Sequence, residues 1–529
     1  MRKTLSLVAL VTGCGLLAAS AFASARQTPP ANTFRWSLTV DIDYVDPALA
    51  YYTPSWALEY ATGAMLFNYP DAPAPRGSRL VPEVAAGFPT ISPDGRTYTF
   101  RLKTTYRFSD GRPVRAANFV RAFQRARNRR PSTPAAQFIS DVAHFAAPRP
   151  DRLRIQLRRP AGDILARLAM PFFMAIPTNT PDVIDGIGAP VVSAGPYFIR
   201  EWTKNRRIVL ERNGYYAGPR PHHLRRIQVD IGLPLETIKL NIDRGRTDTG
   251  DIPPAAHSEL GARFGARRRS PGRYLVNPKP TILYLAFNHD RPLFGGPTAL
   301  GNLRLKQAIN FAIDRRQMMN QYGAHGGIVH DQLFPPAIRG FRDASMYPRR
   351  PNLTRARELA EGSLRSAHSI LYCSNRSPAP QVCQLVQRNL RAIGLNVDIR
   401  LPHRHCFDPC GPSRRGEAFD LSLEGWHMDY LDPSHFSLLV DGTTIRPTDN
   451  TNIAYFNSPA YNRKIRRASG LSVPARYQAF AALDADLMRN AAPVAVYGVP
   501  NDRHYVSART GCYHYHPVYT YDLPAICLR

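Results

Sequence analysis

The chain has 529 residues, of which 44% are hydrophobic and 21% charged, with 48 prolines and a formal net charge of +29. This length is too great for one hydrophobic core, so we expect two or three domains. The composition is that of a folded, loop-rich globular protein and argues against an intrinsically disordered chain. Only seven of the 69 basic residues are lysine. We interpret the excess of arginine as a general bias and expect no nucleic-acid partner, while an attraction to anionic envelope polymers or lipids stays open.

The first 25 residues, MRKTLSLVALVTGCGLLAASAFASA, have the pattern of a signal peptide. A basic start precedes a stretch of small and apolar residues, and alanines occupy the positions that a signal peptidase reads. We therefore expect an exported protein, periplasmic or at the cell surface. Two alternatives stay open, an N-terminal membrane anchor and lipid attachment through Cys14 in VTGC. No later segment has the roughly 18 uninterrupted apolar residues of a spanning helix.

Residue periodicity predicts mixed strands and helices in the first half of the chain. Apolar and polar residues alternate as in strands at 34–40, 97–102, 151–157, 194–202, 207–213 and 225–232. Apolar spacings of three and four predict helices at 55–67, 116–126 and 234–248. The two strands at 194–202 and 207–213 flank a polar TKNR turn, which predicts a hairpin.

The second half begins with a strand from 281 and the clearest amphipathic helix, 302–322. Helices and strands then alternate: helix 354–364, strand 366–374, helix 380–394, strand 395–402, strand 419–426, and a helix followed by a strand at 474–498. This βαβ-like succession predicts parallel strands. Ligands of open α/β sheets bind at the carboxyl ends of strands, and the strand 419–426 places Trp426 at such an end.

Cysteine usage supports export. Removal of Cys14 with the signal peptide leaves six cysteines, whose order suggests three local disulfides: Cys373 with Cys383, Cys406 with Cys410, and Cys512 with Cys527. Zinc is the competing interpretation, because HRHCFDPC (403–410) mixes histidine and cysteine at short spacing. The exported context favours disulfides.

Several stretches, in order along the chain, carry a resemblance to one family. They are YVDPALAYY, the segment 80–126 with ISPDGRTYTFRLKTTYRFSDG, SAGPYFIREW followed by IVLERNGYYAG, FNHDRPLF with LRLKQAINFAIDR, LFPPAIRGF, and FDLSLEGWHMDYLDPSHF. The chain resembles the peptide/nickel class of solute-binding proteins that serve ABC importers, of the oligopeptide- and dipeptide-binding type (family 5). It departs from the family pattern at Ala117 and Asn118, where an acid is usual, and in its cysteine pairs.

The resemblance implies a two-lobed α/β periplasmic-binding-protein fold, type II-like, with an extra α/β domain inserted in the first lobe. Lobe I would span 26–280 and include the inserted domain at about 70–190. Lobe II would span 281–480, and 481–529 would return to lobe I. The ligand would lie between lobes that close by hinge motion.

The resemblance also implies a ligand site. In peptide-binding members, the acid that follows the GW pair binds the peptide's α-ammonium, and the matching residue here is Asp429. Trp426 would form an apolar wall and Tyr430 would add a hydroxyl. Tyr51, after the VDPALA loop, is a further contact candidate, and Arg404 could bind a ligand carboxylate. Asp432, before Pro433, is interpreted as a turn residue with a structural role.

We therefore expect a monomeric, non-enzymatic receptor for peptides or other amine-bearing solutes that delivers them to a membrane permease, with no cofactor and no metal site. A nickel or metal-chelate receptor of the same fold is the first alternative, because histidines accumulate late in the chain and His514 and His516 alternate in CYHYHP. A secreted hydrolase is the second. It is disfavoured because no G-x-S-x-G, H-E-x-x-H or P-loop motif occurs.

Overall fold

One long strand, Val494–Val506, joins the two halves of the largest sheet. The structure is a computed structural model that describes residues 32–529 except 73–75, 129–133, 184, 296–300, 364–367 and 402–413. The first part of this strand pairs antiparallel with Thr281–Phe287, and its second part pairs with Tyr274–Pro278 and Thr249–Gly250. A single stretch of backbone therefore belongs to both halves.

The elements of the described residues alternate between strands and helices. The strands are Thr33–Leu38, Phe67–Asn68, Val81–Pro82, Thr90–Ile91, Thr97–Arg101, Val142–Arg149, Arg152–Leu157, Tyr197–Thr203, Arg207–Arg212, Arg226–Ile231, Thr249–Gly250, Tyr274–Pro278, Thr281–Phe287, Gly327–Val329, His368–Tyr372, Asn396–Arg400, Leu421–His427, Val494–Val506, Thr510–Gly511, Tyr515–His516, Thr520–Tyr521 and Cys527–Leu528. The α-helices are Thr53–Thr62, Ala116–Asn128, Pro134–Gln137, Ile164–Arg167, Leu235–Asp243, Ala256–Phe264, Leu303–Ala312, Arg315–Asn320, Leu353–Ala360, Ala379–Arg391, Ser434–Ser437, Pro459–Gly470 and Ala475–Asn490.

Beyond the shared strand, the large sheet extends in both directions. On one side lie Thr281–Phe287, Leu421–His427, His368–Tyr372 and Asn396–Arg400, in that order. On the other lie Thr249–Gly250, Thr33–Leu38, Arg226–Ile231, Arg207–Arg212 and Tyr197–Thr203. His368–Tyr372 pairs in parallel with both of its neighbours, as the βαβ pattern predicts. The predicted hairpin at 194–213 is also present.

A separate four-stranded antiparallel sheet lies within the region predicted as the insertion. Its order is Thr90–Ile91, Thr97–Arg101, Arg152–Leu157, Val142–Arg149. The amphipathic helix Ala116–Asn128 packs on one face of this sheet, where Phe100, Leu153 and Ile155 are buried. The boundaries at 280, 480 and about 70–190 stay predictions.

The largest hydrophobic cluster contains residues from both predicted lobes, including Trp56 and Phe172 from the first and Phe334 and Phe436 from the second. A second cluster lies between the sheet and the helices Leu303–Ala312 and Ala379–Arg391. Strand Leu421–His427 contributes to both, because Leu421 and Leu423 face the second cluster while Trp426, on its opposite face, packs against the first. Alternation along this strand thus places Trp426 on the side where the lobes meet.

Two predicted helices differ from the structure. The helix predicted at 55–67 ends at Thr62, where the Gly63 N–H bonds the Glu59 carbonyl and a Cβ on Gly63 would overlap Met174. The helix predicted at 302–322 is two helices separated at Ile313 and Asp314. The Asp314 side chain accepts from the Gln317 N–H and caps the second helix.

Two of the three predicted cysteine pairs, Cys373 with Cys383 and Cys512 with Cys527, are disulfides in the structure. Cys406 and Cys410 lie outside the described residues, as do Cys14 and the predicted signal peptide. Across the described ranges, no helix combines the length and apolar character needed to cross a bilayer.

Candidate ligand-binding site

The candidate site begins where strand Leu421–His427 ends. The Trp426 backbone lies opposite Ile282 in the neighbouring strand, and the Met428 N–H bonds the Pro280 carbonyl as the chain leaves the sheet. Asp429 follows in this loop with 13% of its side chain exposed. The strand and the turn after it thus fix the direction in which the carboxylate emerges.

Three side chains orient the Asp429 carboxylate. The Tyr51 hydroxyl donates to its Oδ1 at 2.9 Å, and the His435 Nε2 lies 3.0 Å from its Oδ2. The Trp426 indole N–H donates to His435 Nδ1 at 3.3 Å. His435 therefore lies between the Trp426 indole and the Asp429 carboxylate and links the two.

Aromatic rings surround this carboxylate. The Trp426 ring stacks on His435 with centroids 5.3 Å apart. On the other side, the Tyr51 ring contacts Trp56 and Phe172 at 5.6 and 6.0 Å. Trp56 and Phe172 are buried, whereas Tyr51 is 39% exposed. Rigid apolar walls around a few polar groups are typical of small-molecule sites.

Tyr51 is held by the loop before it. Asp43 accepts from the backbone N–H groups of Tyr51 and Tyr52 at 2.7 and 3.0 Å and from the Ser55 hydroxyl. The helix Thr53–Thr62 begins directly afterwards. Removal of the Tyr51 hydroxyl from water, together with the negative charge of Asp429, raises the pKa of Tyr51 well above its usual value. Tyr51 therefore stays a hydrogen-bond donor at physiological pH.

Tyr430 faces a different partner from the one predicted. Its hydroxyl donates to Asp163 at 2.9 Å, and its ring packs edge-on against Phe138 and His435. Asp163 also contacts Arg167 at 3.2 Å. Tyr430 is buried, and its hydroxyl already links two distant parts of the chain. Its role as a ligand contact stays a prediction.

Asp432 has the surroundings of a structural residue. Its two oxygens accept from Arg476 Nη2 and Nε at 2.7 and 3.1 Å, and both side chains are buried. It also accepts from the Ser434 N–H at 2.9 Å, at the start of the short helix Ser434–Ser437. Arg404 lies outside the described residues, so its predicted contact with a ligand is not placed.

His516, one of the two histidines considered as metal ligands, has other partners. His516 is buried, and its Nδ1 accepts from the N–H groups of Val518 and Tyr519 at 3.2 Å each. Burial lowers the pKa of His516 to about 3. The strand there spans only Tyr515–His516, so the alternation expected to place His514 on the same face does not extend to it. Within the described ranges, no group of three or more His, Cys, Asp or Glu residues is arranged to hold a metal ion.

His435 and Asp163 were not predicted as site residues. His435 lies in the predicted loop, and the Asp-Pro turn before it was the available signal, since such a turn can start a helix that directs His435 back toward Trp426. Asp163 is 267 residues from Tyr430 in sequence, and nothing in the spacing of the chain indicates this pairing.

Comparison with known proteins places this geometry in a family. Residues 79–447 match the family described as "Bacterial extracellular solute-binding proteins, family 5 Middle". The chain belongs to this family. The predicted family, its two-lobed α/β fold and its solute-binding role are thereby confirmed.

Curated relatives of this family 5 protein are similar over most of its length. It is 24% identical over 429 residues to the probable D,D-dipeptide-binding periplasmic protein of Escherichia coli K12, covering 80% of each chain. It is 24% identical over 457 residues to the periplasmic oligopeptide-binding protein of Salmonella typhimurium LT2, covering 79% of this chain and 78% of that one. Its family and these relatives are substrate-binding proteins.

Among solved structures, the clavulanic acid biosynthesis oligopeptide binding protein 2 superposes with a TM-score of 0.83 at 22% identity. The match covers 94% of this chain and 95% of that one. At this identity the similarity supports the fold of the family 5 protein, and its ligand has to be argued from its own residues.

Proposed function

We propose that this protein binds peptides or related amine-bearing solutes in the cleft beside Asp429 and delivers them to an ABC permease outside the cytoplasm. The ligand's ammonium would bind Asp429 between Tyr51 and Trp426. Curated relatives are named as periplasmic dipeptide- and oligopeptide-binding proteins, which supports a peptide ligand. The signal-peptide pattern of residues 1–25 supports export.

The observation that carries the proposal is that Asp429 has no permanently charged partner among the described residues. No lysine or arginine of these residues lies within 4.0 Å of its carboxylate, and the side chain at 3.0 Å is His435. Two other shielded aspartates are each paired with an arginine: Asp432 with Arg476 at 2.7 Å, and Asp46 with Arg125 at 2.8 Å. A shielded carboxylate is costly unless a cation compensates it. Asp429 therefore has the electrostatic character of a site that receives its cation from a ligand.

The remaining hydrogen-bonding capacity of the Asp429 carboxylate suits an ammonium group. A carboxylate offers about four lone-pair sites, and the two donors leave about two of them available. A charge-assisted N⁺–H···O⁻ bond is roughly twice as strong as a neutral one. The Tyr51 hydroxyl is a neutral donor, so it orients the carboxylate without cancelling its charge.

Lobe closure would connect binding to delivery. Tyr51 belongs to predicted lobe I and Asp429 to predicted lobe II, and their hydrogen bond already joins the two. A ligand that binds Asp429 and contacts the ring of Tyr51 would favour the closed form through contacts that the open form lacks. The permease would then recognise the closed, loaded protein.

The test compares free and N-acetylated forms of a peptide mixture by thermal shift, followed by calorimetry on the peptides that bind. We expect free-amine peptides to raise the melting temperature and their N-acetylated forms to have little effect. Asp429→Asn should weaken peptide binding by about 30- to 4,000-fold, the range for removing one partner of a shielded charge pair.

The matched control is Asp398→Asn, which neutralises a well-exposed aspartate in the terminal strand Asn396–Arg400 of the large sheet. It should leave affinity unchanged. Equal binding of acetylated peptides, or unchanged affinity in Asp429→Asn, would contradict the ammonium site. Stabilisation by nickel–histidine and not by any peptide would favour the metal-chelate alternative.

A further inference from the structure

The four-stranded sheet of the predicted insertion has one exposed face that is rich in arginine. Along Arg152–Leu157, the inward residues Leu153, Ile155 and Leu157 are buried against the helix side, whereas Arg154 and Gln156 are exposed. Arg101 and Arg149, on the two neighbouring strands, are exposed as well. This outward face, formed by Arg101, Arg149, Arg152 and Arg154, is called the arginine face below.

Strand register brings these arginines together. Arg152 lies directly opposite Arg101 on one side and Arg149 on the other. Arg154 follows two residues later on the same face. Directly opposed residues in antiparallel strands have Cα atoms about 4.5–5.5 Å apart, and like charges placed there are destabilising. The row of three arginines therefore costs folding free energy.

Few acids offset this charge. Asp151, in the turn, lies 4.0 Å from Arg149 and 3.8 Å from Arg152, and among the described residues it is the one acid that contacts both. The side chains of Arg101 and Arg154 make no hydrogen bond or ion pair with the residues that the structure describes. Their guanidinium groups are thus available to an external anion.

Elsewhere in the same protein, two arginines on sheets lie directly opposite acids. Arg226 lies opposite Glu211 in register and contacts it at 2.6 Å. Arg207 lies opposite Asp230 and contacts it at 3.2 Å. Cross-strand ion pairs are therefore formed elsewhere in this arginine-rich protein, whereas Arg101, Arg149 and Arg152 lie opposite one another.

We propose that the arginine face binds the surface of a membrane rich in anionic phospholipids. Guanidinium groups bind phosphate through two parallel hydrogen bonds, and several of them in one plane match a surface of phosphate groups. Of the outward positions beside them, Thr97, Thr99 and Gln156 carry no aromatic ring, and the imidazole of His144, opposite Gln156, is a small platform for stacking nucleic-acid bases. This disfavours a nucleic acid as the partner.

Binding to such a membrane would keep the receptor close to the membrane that holds its proposed permease. The proposal does not depend on the ligand in the cleft.

The test measures partitioning of the full chain onto sedimented vesicles at 0.1 M salt. One set of vesicles contains equal parts of phosphatidylglycerol and phosphatidylcholine, and the other only phosphatidylcholine. The test variant carries Arg101→Gln, Arg152→Gln and Arg154→Gln. The control carries Arg200→Gln, Arg207→Gln and Arg355→Gln, which remove the same charge from other exposed positions. The N-terminal segment is the same in all three proteins.

We expect the wild-type chain to prefer the anionic vesicles. The arginine-face variant should lose about 100-fold in the ratio of anionic to neutral partitioning, from about fivefold per arginine, and the control less than fivefold in total. Equal losses in both variants would show an effect of net charge alone and overturn the proposal, as would a wild-type chain without anionic preference. If the protein bound soluble polyphosphate more tightly than vesicles, and the arginine-face variant lost that binding, the partner would be an anionic polymer and the proposal of a membrane would be overturned.

Discussion

At the scale of single residues, strand Leu421–His427 carries a second carboxylate on the same face as Trp426. Glu424 is 9% exposed and accepts a hydrogen bond from the Ser422 hydroxyl. Burial raises the pKa of Glu424 from an ordinary value of 4.5 to about 7. Its raised pKa makes the stability of the fold depend on pH near neutrality.

The sign of this dependence follows from proton binding. Between pH 4.5 and 7 the unfolded chain releases the Glu424 proton while the folded chain keeps it, so stability falls as the pH rises. Glu424→Gln removes this loss. We expect its free energy of unfolding, relative to wild type, to be higher at pH 8 than at pH 5 by up to about 3 kcal/mol. Urea titrations at both pH values measure this difference.

The exposed Glu361→Gln is the control and should show no such pH-dependent gain. A difference between Glu424→Gln and wild type that is the same at both pH values would contradict the assignment.

The sequence predicts some residues of the site and not others, for a physical reason. Asp429 and Trp426 are predicted because a short motif at the end of one strand carries both. The contacts of Asp429 with Tyr51 and of Tyr430 with Asp163 join residues 378 and 267 positions apart. Such contacts depend on how the lobes pack, which local periodicity does not contain.

At the scale of elements, strand Val494–Val506 is shaped by a glycine. Gly498 lies opposite Leu283, where the register with Thr281–Phe287 shifts. A Cβ at Gly498 would overlap the Met319 sulfur and lie 3.1 Å from the Ile328 carbonyl oxygen. Met319 therefore fills the space that a side chain at position 498 would need.

We expect Gly498→Ala to lower the free energy of unfolding by about 1–3 kcal/mol through overpacking. In a Met319→Ala background the same change should cost much less, because the overlapping side chain is gone. A double-mutant cycle by urea denaturation measures this coupling. Gly425→Ala is the matched control, since its Cβ would lie at 3.4 Å from Leu283 and farther from other atoms. Strictly additive costs at 498 and 319 would contradict the packing argument.

Element prediction succeeds where one face of a strand or helix is buried. Strand Arg152–Leu157 and helix Ala116–Asn128 follow directly from their apolar periodicity. It fails at ends and breaks, as at Gly63 and Asp314, where a close tertiary contact or a cap outweighs a continuing apolar pattern. Two-residue strands such as Thr249–Gly250 are too short to show an alternation of apolar and polar residues.

At the scale of the whole molecule, two tyrosine hydroxyls connect the predicted lobes. Tyr51 bonds Asp429, and Tyr430 bonds Asp163, each at 2.9 Å. A hydrogen bond to a charged group contributes about 1.5–3 kcal/mol. Both bonds would be lost on opening, so they favour the closed form even without ligand.

We expect the double variant Tyr51→Phe, Tyr430→Phe to shift the ligand-free protein toward open forms. Small-angle X-ray scattering should then give a larger radius of gyration than for the wild type, and a saturating peptide ligand should restore the wild-type value. Tyr505→Phe is the control, because its hydroxyl bonds Asp243 within predicted lobe I. An unchanged radius of gyration in the ligand-free double variant would show that these bonds do not govern closure.

The pairing of strand Val494–Val506 has a consequence for biosynthesis. Thr249–Gly250, which continues the sheet from Thr33–Leu38, finds its other neighbour only at Tyr505 and Val506. The sheet that contains Thr33–Leu38, the first strand to be translated, is therefore complete only after Val494–Val506 has been synthesised. A product that terminates before Val494 would leave the edges of Thr249–Gly250 and Thr281–Phe287 without this neighbour. Quality-control proteases should remove such a product, so no half-receptor with residual activity should accumulate.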